Sequence, residues 1–216
     1  MDTIIPEPSV ERIEYARPEI YLTLNASLGS EERIREASVA LRQREPEQTL
    51  IAIGRWIQQN LKYDAQCAYA WRNFDTAVET GVFGGCADHA VVFTALARAC
   101  GIPTVFVKTM DADWIRDFYT GKPPSSWRGH VFLEVFVSGS WRLRDASAMK
   151  IYEERASAMR ILSSDRFACD KGCVPYLLVL SLDWERWKQQ TAAYFSSFDL
   201  AQLPVSRGRD LISQQP

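Results

Sequence analysis

The chain changes hydrophobic period once, at Gly101-Ile102-Pro103, and that switch limits the folds open to it. Before it, apolar residues recur at helical spacing; after it, they alternate as they do in strands. Ser30 precedes EERIREASVALRQRE with a small polar cap and acids in the first turn, which predicts a helix. Pro46 opens a second, through Lys62-Tyr63, in which Leu50, Ile53, Ile57 and Leu61 form a buried stripe and Trp56 packs beside them. A short helical turn is expected at residues 75–80. A third helix, CADHAVVFTALARACG, starts at Cys86 behind Gly84-Gly85, buries Val92, Leu96 and Ala99, and stops at Gly101.

Beyond the switch, TVFVKTM, GHVFLEVFV and WRLRDAS predict three strands. The last two meet at Ser138-Gly139-Ser140, a hairpin connection. Residues 103–110 and 129–137 are separated by a long aromatic loop that carries Trp114, Trp127 and a Pro-Pro pair. At the N-terminal end, residues 1–28 read as an arm with a short strand at residues 19–24. Residues 29–203 form the expected domain, with its core at 46–147 and an extension at 148–203. In that extension IYEERASAMRIL reads as helix, YLLVLSLD as strand and DWERWKQQTAAYF as helix, and residues 204–216 read as a polar, mobile tail.

Bulk properties narrow the function. The 216 residues are 47% hydrophobic with a net charge of -2 and no basic run, which gives nucleic acid no electrostatic handle. No apolar stretch is long enough to cross a bilayer, so no membrane partner is expected. The N-terminal stretch lacks the pattern of a secretory leader, and the expected location is the cytoplasm. Five cysteines, an odd count, suit a reducing compartment and a reactive or buried thiol. Cys169 and Cys173 have the spacing of a metal-ligand pair but lack a second pair to complete four ligands, so a loop disulfide or two thiols is expected. Asp111, Asp113 and Asp117 lack the glycine and distal glutamate of a calcium loop. No metal and no cofactor are expected.

Only two histidines exist, His89 and His130, so histidine-dependent chemistry has two choices. Cys86 stands where a helix start leaves N–H groups unpaired and favours a thiolate. Its own N–H could serve an oxyanion. Alone, such a cysteine reads more readily as a buried structural cap. His130 begins one strand and Asp145 ends the next. If Ser138-Gly139 is a two-residue turn, Phe132 faces Asp145 and His130 is its diagonal neighbour on the same face. The same register puts Arg142 and Arg144 beside the apolar face of Val131, Leu133 and Val135, a conflict that a bulge near Leu143 would relieve. His89 shares the cysteine's helix, which ill suits a base that must also reach a leaving group; it is expected to pack or line the cleft.

The stretch GGCADHAVVFTALARACGIP resembles the transglutaminase-like pattern, matching it at Gly84, Cys86, Asp88, Arg98, Gly101, Ile102 and Pro103. Downstream, His130, Glu134, Trp141 and Asp145 match the family's second block, with Phe132 in place of the usual tryptophan. The resemblance spans residues 46–147. It implies an α+β, papain-like fold in which a cysteine-bearing helix packs on an antiparallel sheet. It further implies Cys86 as nucleophile, His130 as base and Asp145 as the residue orienting that base. Tyr63, Gln66 and Trp71 are candidates for a second oxyanion donor, and His89 and Trp127 for the cleft wall. The implied reaction is acyl transfer or hydrolysis at a glutamine carboxamide or peptide amide through a Cys86 thioester. The substrate would be a protein or peptide, with a primary amine as the acceptor in transfer. Two other readings remain open: an amide-forming enzyme acting on carrier-bound thioesters, and a catalytically silent binding protein.

Overall fold

A computed structural model describes residues 13–67, 72–111, 117, 129–152, 161–162, 166–172, 205–206 and 208–211. The helical half comes first. Ser30 caps α1 (Glu31–Ser38) by accepting from the N–H of Arg33. This helix is shorter than the sequence suggests. Beyond it the N–H of Gln43 turns back to the hydroxyl of Thr49 at 2.9 Å, leading the chain into α2 (Pro46–Asn60). Helix α2 ends at Asn60 because Lys62-Tyr63 leaves it as β1 (Lys62–Tyr63). After α3 (Phe74–Thr80), Gly81 takes a left-handed φ of 68° and the chain enters β2 (Val82–Phe83), which pairs in parallel with β1. Trp56 stacks on Phe74 with centroids 6.1 Å apart, a packing role as expected.

Helix α4 (Cys86–Ala99) is the centre of the molecule. From Asp88 to Ala99 every residue is buried. Its end is fixed by Gly101, whose φ of 89° suits only glycine without strain, and by a bond from the N–H of Ile102 to the carbonyl of Ala97 at 2.9 Å. Arg98, itself buried, donates to the carbonyls of Thr104 and Thr23 and so ties the helix end to the sheet and to the N-terminal segment.

The second half supplies β3 (Thr104–Asp111), β4 (Gly129–Val137), β5 (Ser140–Asp145), β6 (Lys150–Tyr152), β7 (Ile161–Leu162), β8 (Arg166–Gly172), β9 (Val205–Ser206) and β10 (Gly208–Asp210). They form one sheet in the order β10-β6-β5-β4-β3-β8-β7-β9, antiparallel except for β7 with β9. Alternation gives the sheet two apolar faces. Leu133, Val135 and Val137 join the large core under the helices, whereas Phe132 and Leu143 join Val107 and Tyr152 on the other side.

Several expectations change here. Residues 19–24 are not a strand: Pro18–Leu22 is a 3-10 helix, favoured by proline at its start. Its Tyr21 is buried edge-on against Trp141, so the second face of the sheet is partly covered by this segment. Lys150–Tyr152 is strand rather than helix, because it pairs with both β5 and β10. The stretch after Pro204 contributes two strands and the buried Leu211, whose N–H donates to the carbonyl of Met149 at 3.0 Å. The expected strand at YLLVLSLD and helix at DWERWKQQTAAYF lie outside the described residues. Among the described residues no helix is long and apolar enough to cross a membrane.

Candidate active site

Cys86 is the first residue of α4, half-buried, and follows an extended Gly85. Among the described residues, no atom outside its immediate neighbours lies within 4 Å of where a Gly85 side chain would project. The turn before the helix is held by Asp88. Its carboxylate accepts from the N–H of Gly84 at 2.8 Å and from the backbone of Arg72. Burial pushes the Asp88 carboxyl above its ordinary pKa, and those two bonds work against the rise. Sequence spacing places Asp88 in a motif, but only the folded turn shows what it holds.

His130 enters from β4, paired with Thr109 of β3. Its Nε2 lies 3.0 Å from Oδ1 of Asp145, and its ring stands edge-on to Phe132 at 4.8 Å. Cys86 is its other side-chain hydrogen-bond partner. The two-residue hairpin register holds, with Leu133 opposite Arg144 and Val137 opposite Ser140. That register brings His130 and Asp145 together, as the sequence suggested.

Asp145 has two further partners. The Oγ of Ser147 donates to it at 2.8 Å and the N–H of Ala148 at 3.2 Å, both on the same Oδ1. Burial alone would raise this carboxyl, but His130, Ser147 and Ala148 outweigh it and hold the pKa at about 2. For His130, burial opposes the charge. The bond to Asp145 and then the bond to Cys86 overcome it, and the pKa rises to about 9. The arrangement therefore favours an imidazolium clamped between a carboxylate and a sulfur.

The other candidates divide. His89 is buried, edge-on to Phe83 at 5.3 Å, with no partner for Nδ1 among the described residues. Burial, and then the charge of Arg144, push its pKa down to about 4, so it is neutral at physiological pH. Tyr63 is 64% exposed and rests on Phe83, three residues before Cys86, with centroids 5.8 Å apart. Gln66 is exposed in a 3-10 turn and its N–H is bound by Asp64. Trp71 and Trp127 lie outside the described residues, as do Asp113, Cys173 and the side chain of Cys169. Among the described residues no group of three or more His, Cys, Asp or Glu is arranged to hold a metal ion.

No bulge near Leu143 relieves the conflict: β4 and β5 stay in register along their length. Arg144 instead enters the helix-side core, fully buried, and Arg142 reaches Glu47 of α2 at 2.8 Å. Alternation had placed both arginines correctly; hydropathy argued against burying one. On the far face lies a second buried polar group that sequence reasoning missed. There Lys171 pairs with Glu134 and donates to the hydroxyl of Tyr15, which donates to Glu134 in turn.

A cysteine-first central helix packed on an antiparallel sheet that presents histidine and aspartate defines a papain-like arrangement. The family model of the transglutaminase-like superfamily matches residues 35–146, more than half the chain, and the protein belongs to that superfamily. Among solved structures it is similar to a candidate cysteine protease from Cytophaga hutchinsonii at 15% identity and a TM-score of 0.52, over 78% of this chain and 51% of that one. A candidate protease from Parabacteroides distasonis matches at 14% identity and a TM-score of 0.41, over 68% of this chain and 32% of that one. A TGase matches at 16% and 0.34, over 64% and 35%. The first supports the shared fold, and this chain spans about half of that protein's length. No curated protein matches the chain.

Proposed function

We propose that this protein is a thiol-dependent acyl-transfer enzyme with Cys86 as nucleophile, His130 as acid and base, and Asp145 as the residue that orients and charges His130. One observation carries the reading: a single imidazole, largely buried, has both Cys86 and, at 3.0 Å, Asp145 as hydrogen-bond partners. An ordinary structural cysteine has no use for such a partner.

The Cys86 thiolate attacks the carbonyl carbon of a glutamine carboxamide or peptide amide, and the carbonyl electrons move to oxygen. The N–H of Cys86, at the open first turn of α4, faces the developing oxyanion. Tyr63 and Gln66 are the candidates for a second donor. As the C–N bond breaks, His130 gives its proton to the departing amine and leaves a thioester on Cys86. Water or a primary amine then attacks. His130 takes a proton from it, and the thiolate leaves. Asp145 holds the imidazole in orientation through both half-reactions.

The test is to label the protein with an iodoacetamide probe at pH 6 and pH 8 and find the modified residue by mass spectrometry. The reading expects fast labelling of Cys86 at both pH values, lost in His130→Ala. Equal, slow labelling of all five thiols rejects it. A glutamine peptide offered with a fluorescent amine then distinguishes transfer, read as amine incorporation, from hydrolysis, read as ammonia release alone.

A further inference from the structure

Behind Asp145, on the helix side of the sheet, lies a positive charge that the reaction steps above do not use. Arg144 is fully buried. Its guanidinium carbon is 4.4 Å from the centroid of the Phe93 ring, and its Nη2 is 3.3 Å from the sulfur of Met149. Helix α2 passes so close that a side chain at Gly54 would collide with that sulfur and sit 3.7 Å from Nη2. Nε and Nη1 have no protein partner among the described residues. A core site that wanted only volume would take methionine or leucine and avoid the desolvation of a cation.

What surrounds the charge suggests its use. Cys86, His89 and Phe93 fall on one stripe of α4, three and seven residues apart. Arg144 lies over the Phe93 end of that stripe, and its charge is felt by His89 and Asp145. Among the described residues, these titratable groups face it. His89 comes from α4, Asp145 is next on its own strand, and His130 of β4 lies beyond Asp145; from α2 the uncharged Gly54 comes close. Burial lowers the pKa of Arg144 to about 9, against the pull of Asp145, so it stays charged at neutral pH. His89 is neutral there.

We propose that Arg144 is a positioning residue: walled in by Gly54, Phe93 and Met149 behind the Cys86–His130–Asp145 constellation, its fixed charge keeps the anionic members of that constellation ionised. It touches no reacting atom and acts through a poorly screened interior. The inference rests on the reading of Cys86 as nucleophile. A cation stabilises a thiolate and a carboxylate and disfavours an imidazolium, so its removal raises the pH at which Cys86 ionises.

The experiment measures the rate of Cys86 alkylation against pH in the wild type, Arg144→Met, Arg144→Gln and Met149→Leu, with a thermal melt of each. Both arginine variants are expected to move the acid midpoint up by about one pH unit, a roughly tenfold slower reaction on the acid limb. Met149→Leu, which disturbs the wall and keeps the charge, is expected to leave the midpoint in place. An unmoved midpoint in either folded arginine variant, or an equal move in Met149→Leu, overturns the proposal. So does failure of both arginine variants to fold, which would make Arg144 a core residue and nothing more. A wild type without preferential Cys86 labelling would instead strike the functional reading itself.

Discussion

Replacing Asp145 with asparagine keeps the shape of the site and removes one charge, so it tests the electrostatics directly. His130 stands at about 9 against an ordinary 6.5, a difference worth about 3 kcal/mol at 1.36 kcal/mol per pKa unit. Burial works against that rise, and Asp145 is the larger of the two bonded contributors to it, ahead of Cys86. At 14% side-chain exposure, His130 is little screened by solvent. Without the carboxylate, burial persists against the Cys86 contribution alone, and the imidazole falls back toward its ordinary 6.5. At pH 7 the imidazolium fraction then falls from about 99% toward about 25%. Losing that cation, the thiol drifts toward its ordinary pKa of about 8.5, with under about 1% thiolate at pH 6. Alkylation of Cys86 by iodoacetamide, followed from about pH 4 to 10, should be nearly flat in the wild type above a low-pH acid limb. In Asp145→Asn it should rise steeply, on the order of 100-fold slower at pH 6 and converging above pH 9. A variant that keeps the flat profile would refute the reasoning, because the imidazolium would then owe nothing to Asp145.

The same contact should leave a mark on stability. Asp145, held at about 2, stabilises the fold above the ordinary carboxylate pKa and loses that contribution as pH falls toward 2. His130, held at about 9, contributes below its ordinary 6.5 and loses its share as pH rises through 9. The melting temperature of the wild type minus that of Asp145→Ala should therefore peak between about pH 4 and 6.5 and shrink on either side; a difference independent of pH would contradict this. On the other face, Lys171 and Glu134 are both 0% exposed. Lys171→Met should cost about 3–5 kcal/mol in urea unfolding by stranding the carboxylate, and adding Glu134→Leu should restore most of it.

Much of this protein is local, and local features can be read from a string of residues. Ser30, Pro46 and Gly101 mark helix ends because caps, fixed φ and left-handed φ are properties of single residues. The two-residue turn at Ser138-Gly139 fixes strand register, and register alone brings His130 to Asp145. Cys86 behind two glycines is a helix start on any reading.

What the sequence could not decide was the fate of charges whose partners lie far along the chain. Hydropathy resists burying Arg144, yet the close passage of α2 at Gly54, the Phe93 ring and the Met149 sulfur together make a slot for it. Lys171 finds Glu134 and Tyr15 only once β8, β4 and the N-terminal segment converge, because a buried charge is tolerable where its partner is already in place. The bond between His130 and Cys86 is of this kind too. A helix start and a strand start, 44 residues apart in the sequence, meet because α4 packs on the sheet, and only that packing turns a thiol and an imidazole into a pair.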